Sequence, residues 1–222
     1  MASGRGPGRP RGAQQDPAAR REALLQAAEG AIREHGPDVS MEQIAERAGV
    51  AKATLYDNFD GKAGLTQALI DRFGLRLLER FAQSLSRSLT AEQVLAEGID
   101  AFVGFIEADP EIYRFVVRHH EGDALIAEIT APIGALIRAI PGPIQADETT
   151  ASLLAHAILG TIISATNAWS QTRQPPRADF VRLLTSYVWS GIVGAGLEPD
   201  DRPVDLRVVS ELIAAAQGGA PT

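Results

Sequence analysis

The chain has 222 residues, 45% of them hydrophobic, a net charge of −7 and no cysteine. That length supplies core for one large domain or for a small domain beside a larger one. Without cysteine there can be no disulfide framework, thiolate metal site or cysteine nucleophile, which fits a reducing cytoplasm. No uninterrupted run of about 18 apolar residues and no signal-peptide core is evident, so the expected location is cytoplasmic, without a membrane span. The charge is uneven: residues 1–62 hold nine Lys or Arg against nine Asp or Glu, and residues 63–222 hold twelve against nineteen.

In chain order, residues 1–15 form a basic arm, SGRGPGRPRG at its centre, too rich in Gly, Pro and Arg to pack and expected to be disordered. Its Gly-Arg-Pro core resembles an AT-hook, which would lay Arg5, Arg9 and Arg11 in a narrow minor groove; the alternative is a solvated tail that adds non-specific phosphate affinity. Asp16-Pro17 then starts a helix to about His35, with Leu24, Leu25, Ala28 and Ile32 inward and Gly36-Pro37 as the stop.

Ser40 to Lys62, SMEQIAERAGVAKATLYDNFDGK, holds two short helices and a tight turn. Ser40 and Gln43 form a capping box, Met41, Ile44, Ala45 and Ala48 make one apolar stripe, and Gly49 suits a left-handed C-cap. In the second helix Ala51, Leu55 and Phe59 should face the core, with Lys52, Ala53, Tyr56 and Asp57 opposite and Thr54 on the flank. Asp60 is expected to cap the next helix, with Lys62 in its first turn, where a phosphate would be favoured. A helix with a small-residue start and Lys, Thr and Tyr outward suits a major groove, which makes double-stranded DNA the expected partner. Ser40, Thr54, Tyr56 and Lys62 are candidates for phosphates, and Lys52, Ala53, Asp57 and Asn58 for base edges.

From about Gly61 to Leu85, Leu65, Leu69, Phe73, Leu77 and Phe81 recur every four residues along a connecting helix. Thr90 with Gln93 caps a helix through Val94 to Ala108, Asp109-Pro110 starts another to about Arg118, and 124–140 is a helix bent at Pro132. Asp147 opens a run to about Ser170; Ala178 to Gly194 and a final piece over 203–215 follow, then a disordered tail at 219–222. No segment alternates as a strand would, so the fold is expected to be all-α, with domains at 16–62 and 63–218. Ala157, Gly160, Ser164, Ala165 and Ala168, then Gly191 and Gly194, would let the last two long helices approach others closely. Phe102, Phe105, Ile106, Phe115, Val116, Leu125 and Ile129 either line a ligand cavity or fill a core, with Tyr113, Arg114, His119 and Asn167 as polar anchors in the first case.

The Ser40–Lys62 string, with its Gly-Val turn, Thr-Leu-Tyr core, late aromatic and following Lys, resembles the DNA-binding domain of TetR-family transcriptional regulators over about residues 17 to 65. Asp57 departs from the bulky or basic residue frequent there in the family. The resemblance implies a dimer built on the last two long helices, where the alternative is intrachain packing. It also implies a repressor's palindromic operator and an unidentified effector, expected to be apolar, in the C-terminal body. Adjacent His119-His120-Glu121 point about 100° apart on a helix, unlike ligands at i and i+4, so no metal or cofactor is expected. No phosphate loop or nucleophile elbow suggests an enzyme. The competing readings are a helical interaction module with weak DNA binding and a small helical enzyme.

Overall fold

The computed structural model describes residues 16–84, 89–119, 130, 133–135, 137–138, 147–197 and 204. Among them every regular element is helical: α1 (Pro17–His35), α2 (Met41–Ala48), α3 (Lys52–Phe59), α4 (Gly61–Ser84), α5 (Ala91–Ala108), α6 (Pro110–His119), α7 (Glu148–Thr172) and α8 (Arg177–Gly194). The described residues between Thr130 and Arg138 are helical too. The basic arm with Arg5, Arg9 and Arg11, the tail at 219–222, His120, Glu121, Leu125, Ile129, Pro132 and all of the expected 203–215 helix except Val204 lie outside the described residues. The chain divides into two compact units, Met1–Ala68 and Leu69–Thr222, with the division inside α4.

In the first unit the helix ends follow their local chemistry. The Asp16 carboxylate accepts from the Ala18 N–H ahead of Pro17, and Ser40 and Gln43 make both bonds of the capping box. Gly49 closes α2 at φ 66, in the left-handed region that a side chain would strain. Leu24, Leu25, Ala28 and Ile32 of α1, Met41, Ile44 and Ala45 of α2, and Leu55 and Phe59 of α3 form the core. Two expectations fail here. Ala51 is exposed, because it is the extended N-cap of α3 and the four-residue spacing was carried one step past the helix start. Asp60 is the left-handed C-cap of α3 at φ 54, not an extended N-cap of α4; with Gly61 at φ 91 it reverses the chain.

In the second unit, Ile99 and Val103 of α5 pack with Ala151, Ala155 and Ile158 of α7 and with Phe180, Leu184 and Val188 of α8. Burying each of the larger side chains contributes roughly 1.5–3 kcal/mol. At the α7–α8 turn the Trp169 and Phe180 rings stack with centroids 5.0 Å apart, and the indole N–H donates to the Pro175 carbonyl at 2.8 Å. Arg177, the first residue of α8, donates from Nε and Nη2 to the Asp100 side chain and backbone carbonyl of α5, and from Nη1 to Glu107. Its guanidinium occupies the space beside Gly104, where a Cβ would lie 2.7 Å from Nη2.

α7 is less covered than an apolar core helix should be. An 18-residue window within Glu148–Thr172 has mean hydropathy 1.3, yet only 28% of it is buried, so by length and composition this helix could cross a membrane. The expectation that no uninterrupted apolar run of that length occurs still holds, because Thr, Ser and His interrupt this helix. Leu153, Ala157, Gly160, Ser164 and Ala168 are all exposed and, at spacings of three and four, share one face. On α8, Leu183, Tyr187, Ser190, Gly191 and Gly194 do the same. Leu153, Leu183 and Tyr187 are 68%, 64% and 69% exposed, and a Cβ at Gly160, Gly191 or Gly194 would meet open space.

Candidate nucleic-acid interface

α3 is anchored by two side chains and presents the rest. Leu55 and Phe59 are buried, and on the opposite face Lys52, Ala53, Tyr56 and Asp57 are exposed, as the 100° step per residue requires. Thr54 and Asn58 are half-buried at the margin. The Asn58 amide donates to the Thr54 carbonyl at 2.7 Å, so one of its two amide hydrogens is already engaged with the helix backbone. Ser40 is half-buried; its oxygen accepts from the Gln43 N–H, and its hydroxyl also bears on the Glu42 carboxylate, which it helps to hold low. Lys62 is exposed in the first turn of α4.

Two residues at this face carry no periodic signal in the sequence. Glu42, in the first turn of α2, pairs with the Lys52 ammonium through Oε1, and that ammonium lies 5.6 Å from the Tyr56 ring centroid. The hydrogen bond to Lys52 holds the Glu42 carboxyl below its usual range, and the same bond raises the Lys52 ammonium. Arg21 of α1 sets its guanidinium 4.4 Å from the Phe59 centroid and donates to the Asn58 carbonyl at 3.1 Å, fastening the last turn of α3 to α1.

The residues expected around an effector make three separate contacts. Phe102 meets Tyr113 edge to face at 6.0 Å, and the Tyr113 hydroxyl donates to Asn167 Oδ1 at 2.6 Å, so α5, α6 and α7 converge there. Phe115 and His119 stack on each other at 4.5 Å, while Phe105 meets Phe73 at 6.5 Å. Arg114 joins none of them: it is exposed and pairs with Glu111 at 2.8 Å, because position 114 falls on the outer face of α6. Burial pushes the Tyr113 hydroxyl up to about 12.

Tyr113→Phe should cost about 1 kcal/mol, since it strands a half-buried Asn167 acceptor. With the folded value about 12 and the ordinary value 10.0, the wild type holds its full stability below pH 10 and loses some as pH rises toward 12. The phenylalanine variant should lose less over that window, and urea unfolding at a series of pH values checks both statements.

Three helices, the last two short and the third held by its inner face and open along its outer one, define a helix-turn-helix protein. The family model for bacterial regulatory proteins of the tetR family matches residues 24–69. An uncharacterised HTH-type transcriptional regulator of Mycobacterium tuberculosis is 31% identical over 199 residues, covering 85% of each chain. The HTH-type transcriptional activator FasR of Mycolicibacterium smegmatis is 27% identical over 181 residues, or 78% of this chain and 83% of that one. A TetR-family regulator of known structure from Streptomyces coelicolor superposes with a TM-score of 0.64 at 18% identity, over 92% of this chain and 90% of its own. The chain belongs to the TetR family and is a DNA-binding transcriptional regulator, not an enzyme.

Proposed function

We propose that the protein is a ligand-responsive repressor that binds a palindromic operator as a homodimer, acting in the cytoplasm at the nucleoid. Residues 16–62 are the reading head, and residues 63–218 form the effector-binding and dimerisation body. The observation that carries the reading is the single outward face of α3, with Lys52, Ala53, Tyr56 and Asp57 exposed opposite two buried anchors. Ser40, Thr54, Tyr56 and Lys62 hold phosphates and set register; Lys52, Ala53, Asp57 and Asn58 face base edges. Arg5, Arg9 and Arg11 add minor-groove contacts from the arm.

The exposed stripes of α7 and α8 support a two-fold pairing, which would cover the apolar surface that the single chain leaves open. Two heads so joined read half-sites about one helical turn, roughly 34 to 36 Å, or a multiple apart. An apolar effector such as an acyl chain or an aromatic fits the surroundings of Phe102, Phe105, Phe115 and His119, with the Tyr113–Asn167 pair as its polar contact. To release DNA it must prefer the non-binding state by a few kcal/mol.

The test is a shift of a duplex carrying the gene's own upstream region, with two protomers per site, steep salt dependence and repression of a reporter. Binding that ignores sequence would sink the proposal, and stimulation of the reporter would reverse its sign. Within it, Lys62→Ala should weaken binding to every duplex alike and reduce the salt slope by about one per head. Titrations at several salt concentrations measure this; a changed base preference at unchanged affinity would move Lys62 to the base-reading group.

A further inference from the structure

The two consecutive helices of the reading head are bridged on their outer side by one ion pair, and it involves a candidate base-contacting side chain. Lys52 opens α3, Glu42 lies in the first turn of α2, and their charged groups are hydrogen-bonded although 45% and 64% of the two side chains is exposed. The Tyr56 ring flanks the same ammonium. An exposed lysine on a flexible stem would otherwise sample many positions and take any phosphate within reach.

We propose that Glu42 is a specificity-determining residue, which biases the Lys52 ammonium toward the neutral acceptors of a base edge and away from phosphate. The inference rests on Lys52 facing the bases, as proposed above. Its physical basis is a difference in charge between the two competing acceptors. Guanine O6 and N7 are neutral and tolerate a carboxylate sharing the ammonium, whose three N–H donors can serve Glu42 and a base together. A phosphate on the same ammonium brings its negative charge within a few ångströms of Glu42, and the repulsion is largely unscreened at contact distance. Glu42 therefore penalises binding at arbitrary sequence, where phosphate contacts supply the affinity, more than binding at the correct one. A head with no net charge over residues 1–62 gains by such a device, because it keeps its few cations for reading.

The experiment compares two probes: a duplex selected from a random library by the wild-type dimer, and a random-sequence duplex of equal length. Glu42→Gln should raise affinity for the random duplex about two- to fivefold per head, hence about four- to 25-fold for two heads. Affinity for the selected duplex should rise less, so the ratio between them falls. The salt slope on random DNA should steepen by about one per head, as the freed ammonium displaces counterions. Glu42→Asp, which keeps the charge but shortens the reach to Lys52, should lower the ratio in the same direction.

In a Lys52→Met background neither change at Glu42 should alter the ratio. Equal gains on both probes with Glu42→Gln, or an unchanged ratio with Glu42→Asp, would overturn the proposal and leave Glu42 a generic surface acid. A fall in ratio that persists without Lys52 would overturn it as well. If Lys52→Met by itself changes neither affinity, the base contact of Lys52 is what fails, and the role of Glu42 falls with it.

Discussion

Gly64→Ala should strongly destabilise the reading head. A Cβ on Gly64 would sit 1.7 Å from the Phe59 carbonyl oxygen and 2.9 Å from its carbon, and both atoms are backbone, unable to rotate aside. Nor can the end of α3 retreat, because Phe59 is 4% exposed and Arg21 clamps that turn from α1. Alanine gains about 1 kcal/mol in helix propensity, but overpacking of this kind costs about 3 kcal/mol or more where backbone must move. The net loss shows as a lowered thermal midpoint of the head by circular dichroism, together with lost DNA binding. Gly30→Ala is the matched control. Its Cβ would collide at 2.1 Å with Arg47 Nε, the far part of a flexible side chain whose pairing with Glu34 is exposed. Releasing that pair costs less than about 1 kcal/mol, which the gain in helix propensity offsets. Equal damage from the two substitutions would refute the steric argument.

The second large effect lies on the far part of the chain. Leu183→Glu with Tyr187→Glu should leave each protomer folded, since both side chains are mostly solvent-exposed in the single chain. Charges placed in an apolar contact must be desolvated, so the proposed pairing of α7 and α8 stripes should be lost, and sedimentation should report a monomer. Affinity for the palindromic duplex should then drop about a hundredfold or more, because the second head no longer benefits from being tethered to the first. Affinity for a single half-site should change little. A double variant that stays dimeric would place the interface elsewhere; a monomer with undiminished operator affinity would remove the need for two heads.

What the sequence reveals about this fold is mostly what can be sensed within four residues. Asp16-Pro17, Ser40 with Gln43, Thr90 with Gln93, and Asp147 each engage backbone one to three positions away, so their pattern is readable without the rest of the chain. The outward face of α3 follows equally from Leu55 and Phe59 and the helical step. Ala51 and Asp60 mark where that logic stops, because periodicity does not say on which residue a helix begins and capping residues serve either end. Pairs distant in sequence left no trace: Glu42 with Lys52, Arg21 with Phe59, and Arg177 with Asp100 and Glu107. Arg114 was legible as polar but not as outward, since the face of α6 that turns inward is chosen by Ile112, Tyr113 and Phe115 together.

A helix that packs only through Leu, Val and Ile can roll about its axis at modest cost, whereas one whose first residue is gripped by a planar fork cannot. Asp100, Glu107 and the Asp100 carbonyl grip α8 in this way, in a niche that exists because Gly104 has no side chain. The angular phase of α8, and with it the direction in which Leu183 and Tyr187 point, is thus set by contacts outside its exposed stripe, roughly a quarter-turn around the helix. Position 104 governs the aim of a surface that it never touches.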